Sequence, residues 1–453
     1  MKKLKFSDLF AMGLGTTIGA GVFTLTGVAM GYTGGSTFLA YLAGSAIIVF
    51  CMLPIIIAGS IVPRRGIFYV LSKETFSNKV AGVHFGIYFV GRITIATNAT
   101  AFAMYFTSVF TNVNPKLAGI AVVLFFFVSN YFGVSSAVKV QKIMNAVLVI
   151  ALLLFVAVGL LNMDADLVFH EDRLFVGGPA GFFSAISLLV FSLSGGMSIL
   201  NYGDMCENPQ RDLPKACFAI AATVAVLFAA VALATAGALP AVPASQGGTA
   251  MEGTLFFGGM NKAVINAAEQ NMHNKALLYF FLLGGACVAL TTSINSGFSN
   301  YSAACVRAAE DGWLPRFLMK ENKYGTPVYM HLVFVLFAAL PVLLAPDITA
   351  LNATLVKVGS GLQVLCNLFP NLALLSMKKL HPAEWEASVF HMSDTMVKLV
   401  TIVPTAATVA LVYFNFRTYT PTVLTIVLCV CLASVVYAFV GDWRIQRLNG
   451  KRS

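Results

Sequence analysis

The sequence predicts an all-α integral membrane protein with twelve transmembrane helices. Of its 453 residues, 58% are hydrophobic and only 11% are charged, and the mean hydropathy is +0.82. Soluble domains have roughly a quarter of charged residues, so this composition excludes a soluble protein. A helix needs roughly 20 apolar residues to cross a bilayer. Stretches of about that length occupy residues 9–31, 38–61, 84–110, 117–137, 143–161, 181–201, 216–239, 276–298, 328–345, 351–376, 396–415 and 421–440.

Glycine interrupts two of these stretches near their middle. The first stretch contains Gly15–Gly21 (GTTIGAG), and the sixth contains Phe191–Gly196 (FSLSGG). An unpaired backbone group in hydrocarbon costs several kcal/mol, so irregular backbone is tolerated there only where it lines a polar cavity. Matched breaks in two halves of a chain indicate the binding site of a secondary transporter. The sequence therefore predicts a carrier of small solutes whose first and sixth helices are broken.

The positions of the breaks predict an internal repeat. They fall in the first and sixth spans, which are equivalent positions if the chain holds two five-helix repeats followed by two further helices. Because five is odd, the second repeat is inverted relative to the first. We expect the first repeat at residues 1–161, the second at 181–376, and the trailing helices with a cytoplasmic C-terminus at 396–453.

The basic residues predict the orientation of the chain. The formal net charge is +10, and with the N-terminus inside, most Lys and Arg fall in cytoplasmic segments, among them Lys2, Lys3, Lys5, Arg64 and Arg65. Basic residues concentrate on the cytoplasmic side of membrane proteins. We therefore expect a multi-pass protein of the cell membrane with both termini in the cytoplasm. The lipid bilayer is the expected partner, nucleic acid is not, and the oligomeric state is left open.

Cysteine and histidine positions give no sign of a metal or cofactor site. The eight cysteines are scattered, and the six histidines lie in loops or at span ends without ligand-like spacing. No phosphate-binding loop ending in Gly-Lys-Ser/Thr occurs, which argues against ATP-driven transport. The alternative classes are a membrane-embedded enzyme and a channel. An enzyme should show a His, Asp or Cys constellation, and a channel a continuous polar stripe or charged ring.

Three motifs at matching places point to a known family. Gly15–Phe23 is similar to a glycine-rich signature of a first span, Glu207–Lys215 to a loop after a sixth span, and Asp311–Pro315 with Gly325–Val328 to a loop after an eighth. In this order they resemble the amino acid–polyamine–organocation superfamily of transporters over nearly the whole chain. The resemblance implies an amino acid permease with an inverted-repeat, leucine-transporter-like fold. It also implies alternating access and, usually, an amino acid or amine as substrate.

The broken helices offer a binding site for a zwitterionic amino acid. The first turn of a helix presents unpaired N–H groups and a positive dipole end, which suit a carboxylate, and helix C-termini present free carbonyls, which suit an ammonium. We expect the carboxylate on the backbone of Gly19, Ala20 and Gly21. The expected ligands of the ammonium are the carbonyls of Ile18, Phe191 and Ser194. The alternative for these glycines is close helix packing.

The family resemblance adds two further expectations in the sixth span. Phe191 aligns with a position where related transporters place an aromatic side chain that closes over the substrate; the alternative is ordinary packing. Met197 stands where carriers of cationic substrates in this family can place an acid. A neutral amino acid is therefore the expected substrate, with amines and cationic amino acids as the alternative.

Charged residues inside the spans are few. All Asp and Glu fall in loops or flanks, and the two cations within spans are Arg92 and Lys357. An intramembrane charge is typical of a functional site. The alternative for Arg92 is a side chain that extends to the cytoplasmic interface. For Lys357 the sequence leaves two roles open: a side chain that extends to the interface near the outer end of its span, and a place in the cavity.

The sequence leaves the coupling mode open between Na⁺, H⁺ and exchange. Many relatives have a lysine in the fifth span that stands in for a sodium ion, and here Leu148 occupies the matching position. This departure leaves room for a sodium ion held by first-span carbonyls and by the hydroxyls of Thr292 and Ser293. The alternative is that these hydroxyls bond back to their own helix.

Overall fold

The computed structural model describes residues 3–239, 263–417 and 419–449. Lys2 and the rest of the chain outside these ranges are not described. The side chains of Ala20, Thr24, Phe191, Leu448 and Asn449 are likewise outside the described part, so the predicted gate role of the Phe191 ring is not described either.

The described chain is helical nearly throughout, with three isolated β-bridges. The long helices are α1 Phe6–Thr17, α2 Ala20–Thr33, α3 Thr37–Ile61, α4 Asn78–Gly91, α5 Thr94–Val109, α6 Pro115–Tyr131, α7 Val134–Leu161, α8 Gly178–Leu193, α9 Pro209–Ala236, α10 Lys275–Glu310, α11 Val328–Leu344, α12 Ile348–Asn371, α13 Asp394–Arg417 and α14 Pro421–Asn449. Short helices lie at Gly34–Ser36, Ile67–Thr75, Ala165–Phe169, Glu171–Leu174, Ser194–Asn201, Gly203–Met205, Ala263–Asn271, Arg316–Met319, Leu374–Leu380 and Pro382–Glu386.

The all-helical membrane class is confirmed. Among the described residues, ten helical segments are long and apolar enough to cross a bilayer. Two further apolar helices, α6 and α11, have 17 residues each. The count of twelve crossings and the inverted repeat remain predictions.

Both predicted helix breaks are present. α1 ends at Thr17 and α2 begins at Ala20, so Ile18 and Gly19 lie outside regular helix. α8 ends at Leu193, and the chain continues as a 3₁₀-helix over Ser194–Asn201. The two breaks face each other, because α1 packs on this 3₁₀-helix and α2 packs on α8.

The third span differs from the prediction in its start and in its regularity. It runs from Asn78 to Val109 rather than from residue 84, and it is interrupted between α4 and α5. At the interruption, the Arg92 side chain replaces a backbone N–H as the donor to a helix carbonyl. Its Nε donates to Tyr88 O at 3.0 Å, while the Arg92 backbone N–H donates to Phe89 O. A side chain inserted into the helical hydrogen-bond ladder is a recognised cause of kinks.

Loops and short helices contact one another at one end of the bundle. We call it the terminal face, and it comprises residues 3–5, 62–77, 203–208 and 311–327. There the Leu4 N–H donates to Met205 O at 2.8 Å, and the Asp311 carboxylate accepts from Lys73 Nζ at 2.6 Å and Tyr69 Oη at 2.7 Å. Burial and the Asp311 charge raise the pKa of the Tyr69 hydroxyl, so it remains a donor at neutral pH.

Candidate functional site

The first break leaves backbone groups without helical partners. The Ile18 N–H donates to Leu14 O and the Gly19 N–H to Thr17 O, so the Gly15 carbonyl receives neither of these N–H groups. On the other side of the break, α2 starts with no side-chain cap from Gly19. The N–H groups of its first turn therefore lack intrahelical acceptors. The break thus presents carbonyls on one side and N–H donors on the other.

The glycines of the first break are explained first by close packing. A Cβ on Gly19 would lie 2.2 Å from Ser293 Oγ, and a Cβ on Gly21 would lie 2.1 Å from the Cβ of Ser192. Real Cβ atoms do not approach other atoms so closely. Both glycines also line the cavity described below. Their lack of a side chain also allows α10 to pack closely at Gly19 and α8 at Gly21. The packing alternative from the sequence therefore applies to these positions.

The second break depends on glycine in a similar way. A Cβ on Gly195 would lie 2.5 Å from Thr16 O and 2.9 Å from the Cα of Thr17. These are backbone atoms, which cannot rotate away. Ser194, which begins the 3₁₀-helix, and Met197 are buried and line the same cavity. The two breaks consequently meet at backbone contact distance.

A cavity lies between the breaks and extends towards the terminal face. Its volume, measured as the space open to the centres of water molecules, is about 100 Å³. Since one water needs roughly 10–15 Å³ on this measure, several waters or one small solute fit. The breaks, α4, α5, α10 and α12 all contribute to the wall, through residues such as Gly19, Ser194, Asn98, Ser293 and Asn367. Among the described lining residues there is one arginine and no aspartate or glutamate.

Oxygen atoms gather beside the first break around Thr292 of α10. Its Oγ1 lies 2.6 Å from Ala289 O, 3.1 Å from Gly15 O and 3.2 Å from Ile18 O, and Ser293 Oγ lies 3.1 Å from Gly15 O. A hydroxyl has one proton and can donate to only one of these carbonyls. The cluster consists of three carbonyl oxygens and two hydroxyl oxygens, and only the two hydroxyls have a proton to donate within it. Oxygen atoms gathered in this way are the ligands that hard cations prefer. Thr292 therefore bonds back to its own helix and also faces the break.

The sequence predicted first-span carbonyls for the ion without naming that of Gly15, and it did not identify the Ala289 carbonyl. Backbone atoms have no residue-type signal, and Ala289 is one alanine among many. The Ile18 carbonyl was predicted for an ammonium, but the structure places it in this oxygen cluster.

A chain of buried amides supports the first break from the side of α7. Gln141 Nε2 lies 1.7 Å from where a Cβ on Gly15 would stand and donates to Asn145 Oδ1 at 3.1 Å. Asn145 Nδ2 donates to Ala11 O at 2.8 Å, and Asn295 Nδ2 donates to Gln141 Oε1 at 2.8 Å. In this span the polar groups next to the break are therefore amides: Gln141 lies about two turns and Asn145 about one turn before Leu148 along the helix.

The two intramembrane cations have different surroundings. Arg92 is 4% exposed and lines the cavity, so its side chain does not extend to the interface, contrary to the alternative considered above. Lys357 is half-buried on α12 and is not among the cavity-lining residues. His84, which the sequence placed at a span end, lies inside α4, is fully buried and lines the cavity.

The fold defines a class of protein: a multi-pass membrane protein with a small cavity between two broken helices. A sequence model described as amino acid permease matches residues 4–440. The chain belongs to this family, and it is an amino acid transporter rather than an enzyme.

Individual relatives are distant but cover most of the chain. The branched-chain amino acid permease BcaP of Lactococcus lactis is 24% identical over 346 residues, which span 71% of each chain. BcaP of Bacillus subtilis is 22% identical over 365 residues, 75% of this chain and 74% of that protein. An uncharacterized protein of Methanocaldococcus jannaschii is 24% identical over 353 residues, 75% of this chain and 76% of that protein.

Proposed function

We propose that this protein is a secondary active transporter that moves neutral amino acids across the cell membrane by alternating access, with both termini in the cytoplasm. The observation that carries the proposal is the meeting of two broken helices at one cavity. There the first turn of α2 offers N–H donors to a carboxylate, and the C-terminal ends of α1 and α8 offer carbonyls to an ammonium. A free amino acid with a neutral side chain has one carboxylate and one ammonium and no other charge.

Pairwise helix packing supports twelve crossings in a five-plus-five inverted repeat. If each of the first five spans corresponds to the span five places later, each contact should have a counterpart. α1 packs on α9, and its counterpart is α8 on α3. α5 packs on α12, with the counterpart α10 on α7, and α5 packs on α11, with the counterpart α10 on α6. These counterparts support repeats at 1–161 and 181–376, followed by the trailing helices of 396–453.

The substrate contacts remain those predicted from the sequence, with one change. We assign the carboxylate to the backbone of Gly19, Ala20 and Gly21 and the ammonium to the carbonyls of Phe191 and Ser194. The Ile18 carbonyl instead belongs to the ion site. Neutral side chains are favoured because no acid lines the described cavity, whereas Arg92 does; this arrangement disfavours amines and cationic amino acids. The named functions of the two BcaP relatives favour apolar side chains.

The coupling ion in this proposal is Na⁺, transported with the substrate. The oxygen atoms of Gly15, Ile18, Ala289, Thr292 and Ser293 are its ligands. Because all five are uncharged, the site holds a monovalent cation at a broken helix without an acid. Proton coupling is not favoured, since no carboxylate lines the described cavity.

Transport into proteoliposomes tests the proposal. The purified protein is screened with the twenty amino acids, with and without an inward Na⁺ gradient or a pH gradient. We expect saturable uptake of neutral apolar amino acids that the Na⁺ gradient stimulates. Flux that does not saturate would indicate a channel, and uptake of arginine or amines in preference to leucine would overturn the assignment of a neutral substrate.

A further inference from the structure

Arg92 is a buried cation inside the cavity, and no described carboxylate pairs with it. It lies at the middle of the segment Asn78–Val109, and none of the ion pairs among the described residues includes it. A charge at this depth of a bilayer is costly and is typical of a substrate or ion pathway. Among the described residues, the cavity wall therefore contains one positive charge with which no described carboxylate pairs.

Neutral groups hold the guanidinium in place. It lies over the rings of Tyr88 and Tyr301, at 4.0 and 4.5 Å from their centroids. Its Nε donates to Tyr88 O, and its Nη2 donates to Gln363 Oε1 at 2.8 Å. These bonds use two of the five N–H groups of an arginine. The side chain is thus fixed in orientation while part of its donor capacity remains for a ligand.

Polar atoms without hydrogen-bond partners line the same cavity as Arg92. Among the described residues they include Tyr88 Oη, Ser198 Oγ, Asn201 Oδ1 and Asn367 Oδ1, and all four of these residues line the cavity. Buried polar atoms in folded proteins nearly always pair with protein, water or ligand. Hydroxyl donors beside a cation suit a carboxylate, and amide oxygens suit an ammonium.

We propose that Arg92 anchors a second subsite, which binds the carboxylate of the transported amino acid between the breaks and the terminal face. The identity of the ligand as an amino acid rests on the proposed function. Asn98 lies beside Gly19, and it follows Arg92 by six residues across the interruption between α4 and α5, which corresponds to about 9 Å at the rise of a helix. The Arg92 side chain turns back towards Tyr88 O, away from Asn98. One carboxylate therefore cannot occupy both places, and the subsite is a separate stop on the pathway.

Thermal unfolding of the detergent-purified protein tests this subsite with three probes: 3-methylbutanoate, which lacks the ammonium; 3-methylbutan-1-amine, which lacks the carboxylate; and chloride. A ligand that binds only the folded state raises the Tm. We expect 3-methylbutanoate to raise it by about 2 °C in the wild type at saturating concentration. The matched control Lys357→Gln, which removes the other intramembrane cation, should keep the whole shift, and Arg92→Gln should diminish it, because the carboxylate of the probe then has only the backbone of the first break.

Four results would overturn the subsite: no shift in the wild type, an undiminished shift in Arg92→Gln, an equal shift with chloride, or an equal shift with the amine. If Arg92→Gln does not fold, Arg92→Lys decides. The ammonium of a lysine cannot bind a carboxylate bidentately. The affinity of the Arg92→Lys variant for 3-methylbutanoate should therefore be at least about threefold lower than that of the wild type, and an unchanged affinity refutes the proposal. An Arg92-dependent shift without amino acid uptake would refute the proposed function alone, whereas uptake without the shift would refute the subsite alone.

Discussion

The two helix breaks differ in how much backbone they leave unpaired. At the first, α1 stops and α2 restarts after only two residues. At the second, the chain tightens into an eight-residue 3₁₀-helix over Ser194–Asn201. A 3₁₀-helix keeps i→i+3 hydrogen bonds, whereas an abrupt break leaves helix-end groups for other partners. The comparison teaches that the first break leaves more helix-end backbone groups for other partners, whereas the second forms a closely fitting wall against it.

The largest effect should come from filling the contact between the breaks. Gly195→Ala places a methyl group against the backbone of Thr16 and Thr17, which can give way only by separating the breaks. Overpacking of this kind typically costs 1–3 kcal/mol, and we expect uptake to be abolished. Gly91→Ala is the control, since its nearest neighbour would be Leu362 Cβ at an ordinary 3.6 Å. Normal uptake by Gly195→Ala would show that the breaks are not tightly apposed.

The next effect should separate the ion chemistry of the first break from its packing. Thr292→Val keeps the shape of the side chain but removes one of the five oxygens, and we expect the Na⁺ concentration for half-maximal uptake to rise by about tenfold, equivalent to about 1.4 kcal/mol. Thr291→Val is the matched control, because the neighbouring hydroxyl donates to Val288 O of its own helix. If uptake by both variants depends equally on the Na⁺ concentration, the ion does not bind at the first break.

A smaller effect should come from the amides that support the first break. Gln141→Leu removes the acceptor of one Asn295 hydrogen bond and the donor to Asn145. Leaving buried polar groups unpaired costs about 1–3 kcal/mol. We expect a lower Tm in detergent and weaker Na⁺-stimulated uptake. An unchanged Tm would mean that the break holds its shape without this support.

The smallest effect should come from the neighbouring residue, Lys142. It pairs with Asp8 at the start of α1 at 2.5 Å, but its side chain is 43% exposed. Exposed ion pairs contribute about 0–1 kcal/mol, so Lys142→Gln should change the Tm by about 1 °C or less and leave uptake unchanged. A loss as large as that of Gln141→Leu would indicate that the start of α1 controls the break.

The sequence predicted the breaks within one or two residues because glycine inside an apolar span is a strong local signal. It predicted Thr292 and Ser293 next to the first break from their place in the eighth span. It did not identify the cavity face of α4, because His84 was assigned to the end of a span that begins six residues earlier than expected, and Arg92 was left open between a functional site and the cytoplasmic interface. A count of polar residues at helical spacing, with His84, Tyr88 and Arg92 each four apart, would have found this face.

The sequence by itself determined the membrane class, the family motifs and the two unwound points, since these depend on composition and on local backbone preference. Only the tertiary structure decided which carbonyls surround Thr292, which atoms crowd Gly21, and that Arg92 lies in the cavity between two tyrosines. Those facts depend on distances between segments up to about 280 residues apart, such as Gly15 and Ser293. A residue's type does not encode such distances, because they follow from how all the helices pack at once.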